Sequence, residues 1–143
     1  MSENGMEEIV KKEKGWKPIP LPLKIIFVVF IFWTAGSMMN LPNLFENGLP
    51  LFGVFVYGIT AAFIVLLLDI IGPMIFLFAL WNRKSWAEIW AFSYIGIFIF
   101  NGVVALFTVR EELGLTQLLV PTIASIVFLV VICWQRNYFK QTP

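Results

Sequence analysis

Four stretches of the chain stay apolar long enough to cross a hydrocarbon core of about 30 Å, a distance that takes about 20 helical residues. The first follows Lys24, opens with Ile25-Ile26-Phe27-Val28, and ends near Asn40 or runs on through Pro42 to Phe45. A second apolar region extends from Leu49 to Trp81, interrupted by one charge, Asp69, and by Gly72-Pro73. The third runs from Trp86 to Val109 and the fourth from about Leu115 to Trp134, with Pro121 near its start. The second region is too long for one upright helix and too short for two, since a break at Asp69 leaves only Ile70–Trp81. The pattern therefore predicts one helix from about Gly58 to Trp81. Leu49–Tyr57 precedes it as an interfacial stretch, unless the helix is longer and strongly tilted or starts as a re-entrant segment.

The expected architecture is all-α: an integral membrane four-helix bundle running up-down-up-down, with spans at about 24–45, 55–81, 86–109 and 115–135. Three spans follow instead if the first segment is too short. The second helix is expected to kink at Gly72-Pro73, because proline lacks the N–H that an interior helical position requires. Residues 1–23 form an N-terminal arm, in which 6–17 can make a short surface helix, and 137–143 form a tail. Pro18, Pro20 and Pro22 favour an extended lead-in, since each biases its predecessor away from helix. The acidic residues among the lysines of the arm, and the lack of a small-residue cleavage site after Ala35-Gly36, argue against a secretory signal.

Composition strengthens the membrane reading. Of 143 residues, 59% are hydrophobic and 13% charged, with a mean hydropathy of +0.86. Soluble domains carry roughly 45–50% apolar and about 25% charged residues. A soluble domain of this size could not hide so much apolar surface. A net charge of +1 gives no phosphate-binding surface, so nucleic acid is not an expected partner. Histidine is absent, which removes the commonest general base and metal ligand. A lone Cys133 cannot form an internal disulfide or a thiolate cluster, and is expected as a buried thiol near a boundary. No cofactor and no metal site are expected.

Basic residues set the orientation. Lys11, Lys12, Lys14, Lys17 and Lys24 precede the first span, Arg83 and Lys84 link the second to the third, and Arg136 and Lys140 follow the fourth. Only Arg110 falls in the remaining loops, beside Glu111 and Glu112. This asymmetry places both termini in the cytoplasm, with the plasma membrane as the host, and it requires an even number of spans. Trp16, Trp81, Trp86, Trp90 and Trp134 fall at the same boundary, where amphipathic rings prefer to sit. Trp81, Arg83, Lys84, Trp86 and Trp134 are the expected interfacial anchors. Glu88 complements the N-terminal dipole of the third helix. At the opposite face, Arg110 and Glu46 could pair, though exposed pairs contribute little.

Asp69 is the one charged side chain deep inside a span. Such a residue costs about 2.5–3.5 kcal/mol on insertion scales, so it should face the protein interior. Without a cation partner, desolvation favours its neutral form. Pro73 cannot bond the carbonyl four residues earlier, which in an α-helix is that of Asp69. Broken helices build cation and proton sites in this way. Counting inward from Lys24, Lys84, Arg136 and Arg83 places Ser37, Asn101, Thr122 and Asp69 within a slab roughly 6 Å thick. One polar side chain from each span at one height forms a candidate intramembrane polar layer. Asn101 alone suits an interhelical hydrogen bond, while Ser37 and Thr122 can bond their own helices. Gly58-x-x-x-Ala62 and Ala87-x-x-x-Ala91 permit close helix approach.

No nucleophile–base pair, paired intramembrane carboxylates or phosphate loop is present. The sequence points to a non-enzymatic polytopic membrane protein, an accessory or structural subunit of a membrane assembly, with a polar layer around Asp69. The alternative is a small oligomeric transporter or channel that uses Asp69 as a proton or cation site. The expected partners are the lipid bilayer and either further copies of the chain or other membrane subunits.

Overall fold

The computed structural model describes residues 14–140. It is mostly helical, and four of its helices are long and apolar enough to cross a membrane: Leu21–Asn47, Gly58–Trp81, Ala87–Thr108 and Leu115–Trp134. The first consists of α1 (Leu21–Asn40), a 3₁₀ turn (Leu41–Asn43) and α2 (Leu44–Asn47). The second comprises α3 (Gly58–Val65), a π-helical turn (Leu66–Ile71) and α4 (Gly72–Trp81). The third is α5 (Ala87–Thr108), followed by the short α6 (Arg110–Leu113); the fourth is α7 (Leu115–Trp134). A last short helix, α8, covers Arg136–Lys140.

The first helix begins earlier than the prolines suggest. Pro20 occupies its N-cap position and Pro22 lies in its first turn, where the missing N–H would be unsatisfied anyway. The arm helix expected at 6–17 lies almost wholly outside the described residues. Leu49–Tyr57 is a β-hairpin within an otherwise helical chain: β1 (Leu49–Leu51) pairs antiparallel with β2 (Val54–Val56), Leu51 opposite Val54. Its two turn residues, Phe52 and Gly53, both have positive φ, 47° and 88°, as a tight type I′ turn demands. Glycine adopts that conformation at little cost. Phe52 does so because the third helix holds it, as described below.

The main core fills the half of the protein nearest Trp81. Leu23, Ile26 and Phe30 of the first helix meet Phe76 and Leu80 of the second, Ala91 and Ile95 of the third, and Ile132 of the fourth. Ala79, Ala87 and Ala91 are almost completely buried, so small side chains let the backbones approach. Large apolar residues such as Phe32, Ile59, Phe107 and Val130 are exposed instead. A protein that turns such side chains outward along four long helices is matched to an apolar solvent.

Residues from both described ends of the chain meet at the Trp81 end of the second helix. The Gly15 N–H donates to the Trp81 carbonyl at 3.1 Å. From α8, the Tyr138 hydroxyl donates to the Leu80 carbonyl at 3.1 Å, and Phe139 is buried in the main core. The Arg83 guanidinium stacks 4.9 Å from the Tyr138 ring centroid. Burial pushes the Tyr138 hydroxyl above the ordinary tyrosine range, and the Arg83 cation opposes that rise. Arg136 pairs with Glu88 at 2.8 Å, tying α8 to the start of the third helix. Sequence reasoning treated these last residues as a plain tail and gave Glu88 only a dipole role. Among the described residues, Glu46 and Arg110 form no ion pair.

Trp81, Lys84, Trp86 and Trp134 are exposed at this end, whereas Arg83 is half-buried against Tyr138. Cys133 is exposed, against the expectation of a buried thiol; Ile132 beside it faces the core instead. Trp90 also departs from the boundary group. It is half-buried, and its indole N–H donates to the Gly72 carbonyl at 3.2 Å, so it ties the third helix to the second.

Candidate functional site

The site is built on a local fault in the second helix. Between Leu66 and Ile71 the backbone adopts the wider π pattern, and the Gly72 N–H reaches back five residues to the Leu67 carbonyl. The next donor in that register would belong to Pro73, which has none. In that register the carbonyl of Leu68 is left without a backbone donor. The Tyr94 hydroxyl, from the third helix, donates to the Leu68 carbonyl. Gly72 is needed at this crossing because a Cβ there would collide with the Tyr94 ring. Tyr94 and Trp90, one helical turn apart, thus grip the irregular segment from one side.

Asp69 occupies this π turn. The Trp33 side chain of the first helix lies beside the Asp69 carboxyl, while its Oδ1 atom is buried and has no hydrogen-bond partner among the described residues. A buried oxygen left unpaired costs about 1–3 kcal/mol. Two cavities meet at this residue. The more enclosed, about 640 Å³, is walled mainly by the first, third and fourth helices, with Leu49 and Pro50 of the hairpin also on its lining. The other, about 720 Å³ and more open, lies along the first helix and is lined by Trp33, Ser37, Asn40 and Asn43 beside Asp69. Asp69 and Trp33 are common to both.

The two cavities differ in chemistry. The more open one is strongly polar on one wall, where the Asn43 side-chain amide donates to Asn40 Oδ1 at 2.7 Å. The more enclosed one is mostly apolar and carries a connected run of rings. Trp33 lies 6.5 Å from Phe98, Phe98 5.0 Å from Tyr94, Tyr94 6.3 Å from Phe30, and Phe30 5.6 Å from Phe128, all between ring centroids. Among the described residues, no titratable side chain other than Asp69 and Tyr94 lines either cavity. Among the described residues no three of His, Cys, Asp and Glu cluster as metal ligands would.

The other members of the expected polar layer are distributed around Asp69. Asn101 and Thr122 line the more enclosed cavity and Ser37 the more open one. Asn101 is committed to the hairpin: its Oδ1 accepts from the Phe52 N–H at 2.7 Å, and its amide donates to the Pro50 carbonyl at 3.4 Å. This bond, with the Phe52 ring 5.7 Å from Phe100, holds Phe52 in its left-handed conformation. Thr122 is buried and bonds the Leu118 carbonyl of its own helix at 2.7 Å. It marks the tightest crossing of the third and fourth helices, where a Cβ on Gly102 would run into its hydroxyl.

Sequence reasoning missed Tyr94, Trp90 and the aromatic run. Phenylalanine and tyrosine inside apolar helices carry no depth or facing signal of their own. The spacing of Trp90 and Tyr94, four apart, was the available clue, since it puts both rings on one helix face.

No protein-family model, no curated protein and no solved structure matches this chain.

Proposed function

We propose that this chain is a four-span membrane protein, an up-down-up-down bundle with both ends cytoplasmic, that acts as a small transporter with Asp69 as its proton- or cation-binding group. The observation that carries the reading is the position of Asp69: one carboxyl at a π turn, shared by two cavities, with a buried oxygen that no described residue satisfies. Helix faults of this kind concentrate at functional sites. An unpaired carboxyl between two cavities is a site that an incoming proton or cation completes. Among the described residues, the only other titratable group facing it is Tyr94 of the third helix, whose hydroxyl is already given to the Leu68 carbonyl. The first and fourth helices bring none to the cavity walls.

Trp33 provides the readout, because its indole touches the Asp69 carboxyl. In lipid nanodiscs, tryptophan emission followed across pH should show a transition that Asp69→Asn abolishes and that is lost with Trp33→Phe. A flat profile, or a transition that survives Asp69→Asn, rules Asp69 out as a proton site. A second reading keeps the protein as an accessory or structural subunit, and it rests on the Trp33 contact, which joins the first helix to the second at Asp69. Under it Asp69→Asn, which preserves shape and hydrogen bonding, leaves thermal stability and cellular role unchanged.

A further inference from the structure

We infer that the more enclosed cavity beside Asp69 is a binding site for an amphiphilic organic monocation, an ammonium or similar centre carrying alkyl or aromatic groups. The inference rests on the transport reading and adds the class of molecule carried.

Three observations converge on this ligand. The first is charge: Asp69 is the cavity's single ionisable carboxyl, its Oδ1 is buried without a partner, and no lysine or arginine lines the wall. An anion would find no counter-charge there. The second is the run of rings, Trp33, Phe98, Tyr94, Phe30 and Phe128, in continuous contact along the wall. Aromatic faces attract cations held within about 6 Å of the ring centroid, most strongly where water is excluded. The third is size, since about 640 Å³ falls in the range of roughly 300–1,000 Å³ that accepts drug-sized molecules. A hydrated metal ion is the wrong fit. Calcium and magnesium take six or more oxygen ligands, and the walls are mainly apolar. A neutral lipid tail would suit those walls but would leave the carboxyl without a role. An apolar cation uses both.

The test uses the full chain in nanodiscs at pH 8.5, with tetraphenylphosphonium as the probe and tetraphenylborate as its counterpart of like shape and opposite charge. Equilibrium binding should favour the phosphonium at least tenfold. Asp69→Asn should weaken phosphonium binding tenfold or more. Phe98→Leu and Phe128→Leu, which keep the wall apolar, should each weaken it by about threefold to tenfold and leave borate binding unchanged. Equal affinity for the two ions, or wild-type phosphonium affinity in Asp69→Asn, overturns the inference. Should Asp69→Asn fail to fold, the two phenylalanine variants decide the matter, because unchanged phosphonium affinity in both is equally fatal. Absence of phosphonium binding together with an Asp69-dependent pH transition removes this ligand class and leaves the transport reading standing. Charge-selective phosphonium binding with a flat pH profile supports the ligand class and removes the proton site.

Discussion

The Tyr94 hydroxyl donates to the carbonyl of Leu68, the acceptor that the π register leaves facing the donorless ring of Pro73. A side chain of the third helix thus replaces a backbone bond that the second helix cannot make. Tyr94→Phe should lower stability by about 1–3 kcal/mol, the cost of a stranded buried acceptor. Pro73→Ala supplies an N–H at the fault, so the same Tyr94→Phe change should cost less in that background. A double-mutant cycle of unfolding in micelles measures the difference, and strict additivity would contradict the pairing.

Asn101 fastens the hairpin to the third helix through Phe52 and Pro50. Asn101→Ala should release the strained turn and cost about 1–2 kcal/mol. Hydrogen exchange locates the effect: protection at Phe52 and along Leu49–Val56 should fall, while that around Trp81 and Tyr138 stays as in the wild type.

Gly102 and Thr122 form a matched pair at the crossing of the third and fourth helices. Gly102→Ala should destabilise by roughly 1–3 kcal/mol, as overpacking usually does. Thr122→Ala in the same chain removes the obstructing hydroxyl and should recover most of the loss. Thermal unfolding of both single variants and the double variant checks this.

Tyr138 gives a pH dependence outside the long helices. Burial raises its folded value above the ordinary 10, so the folded state prefers the neutral hydroxyl. Its contribution is complete below pH 10 and is lost as pH rises through the folded value. Alkaline unfolding should therefore be shallower in Tyr138→Phe than in the wild type, with the difference appearing only above about pH 10.

Orientation can be read by cysteine labelling, because Cys133 is the only native thiol. In a Cys133→Ser background, a cysteine placed at Glu46 should react with impermeant reagent from outside the cell, and one placed at Lys84 only from the cytoplasm. The reverse pattern would invert the topology, and reaction of both from one side would break the alternation.

The long helices were legible because twenty apolar residues in a row have few other uses in a chain this size. Their ends fell within a few residues of the sequence reading. The exception was the start of the first helix, where Pro20 and Pro22 serve at positions that tolerate proline. Asp69 stood out for a simple reason: a lone acid among leucines and isoleucines is visible in any listing of residues. What surrounds it was hidden. The π turn has no composition of its own, and it left the Leu68 carbonyl to the Tyr94 hydroxyl. Asn101 looked like an interhelical bridge; it proved to serve a hairpin whose strands, Leu49–Leu51 and Val54–Val56, are too short and too apolar to announce themselves. Trp90 was grouped with the boundary tryptophans by position alone, and only the Gly72 carbonyl beside it reveals its separate task.

A π turn amounts to one surplus residue wound into a helix, and that gives the Leu66–Ile71 segment an indexing function. Deleting a single leucine there would let the helix relax to regular geometry with the segments on either side still in phase, so that only the residues of the turn itself would change direction. Depending on which residue was lost, Asp69 would keep phase with Phe76 and Leu80 or swing away from Trp33. This segment should therefore accept a swap of one aliphatic residue for another far more readily than any change in the reading length of its gene.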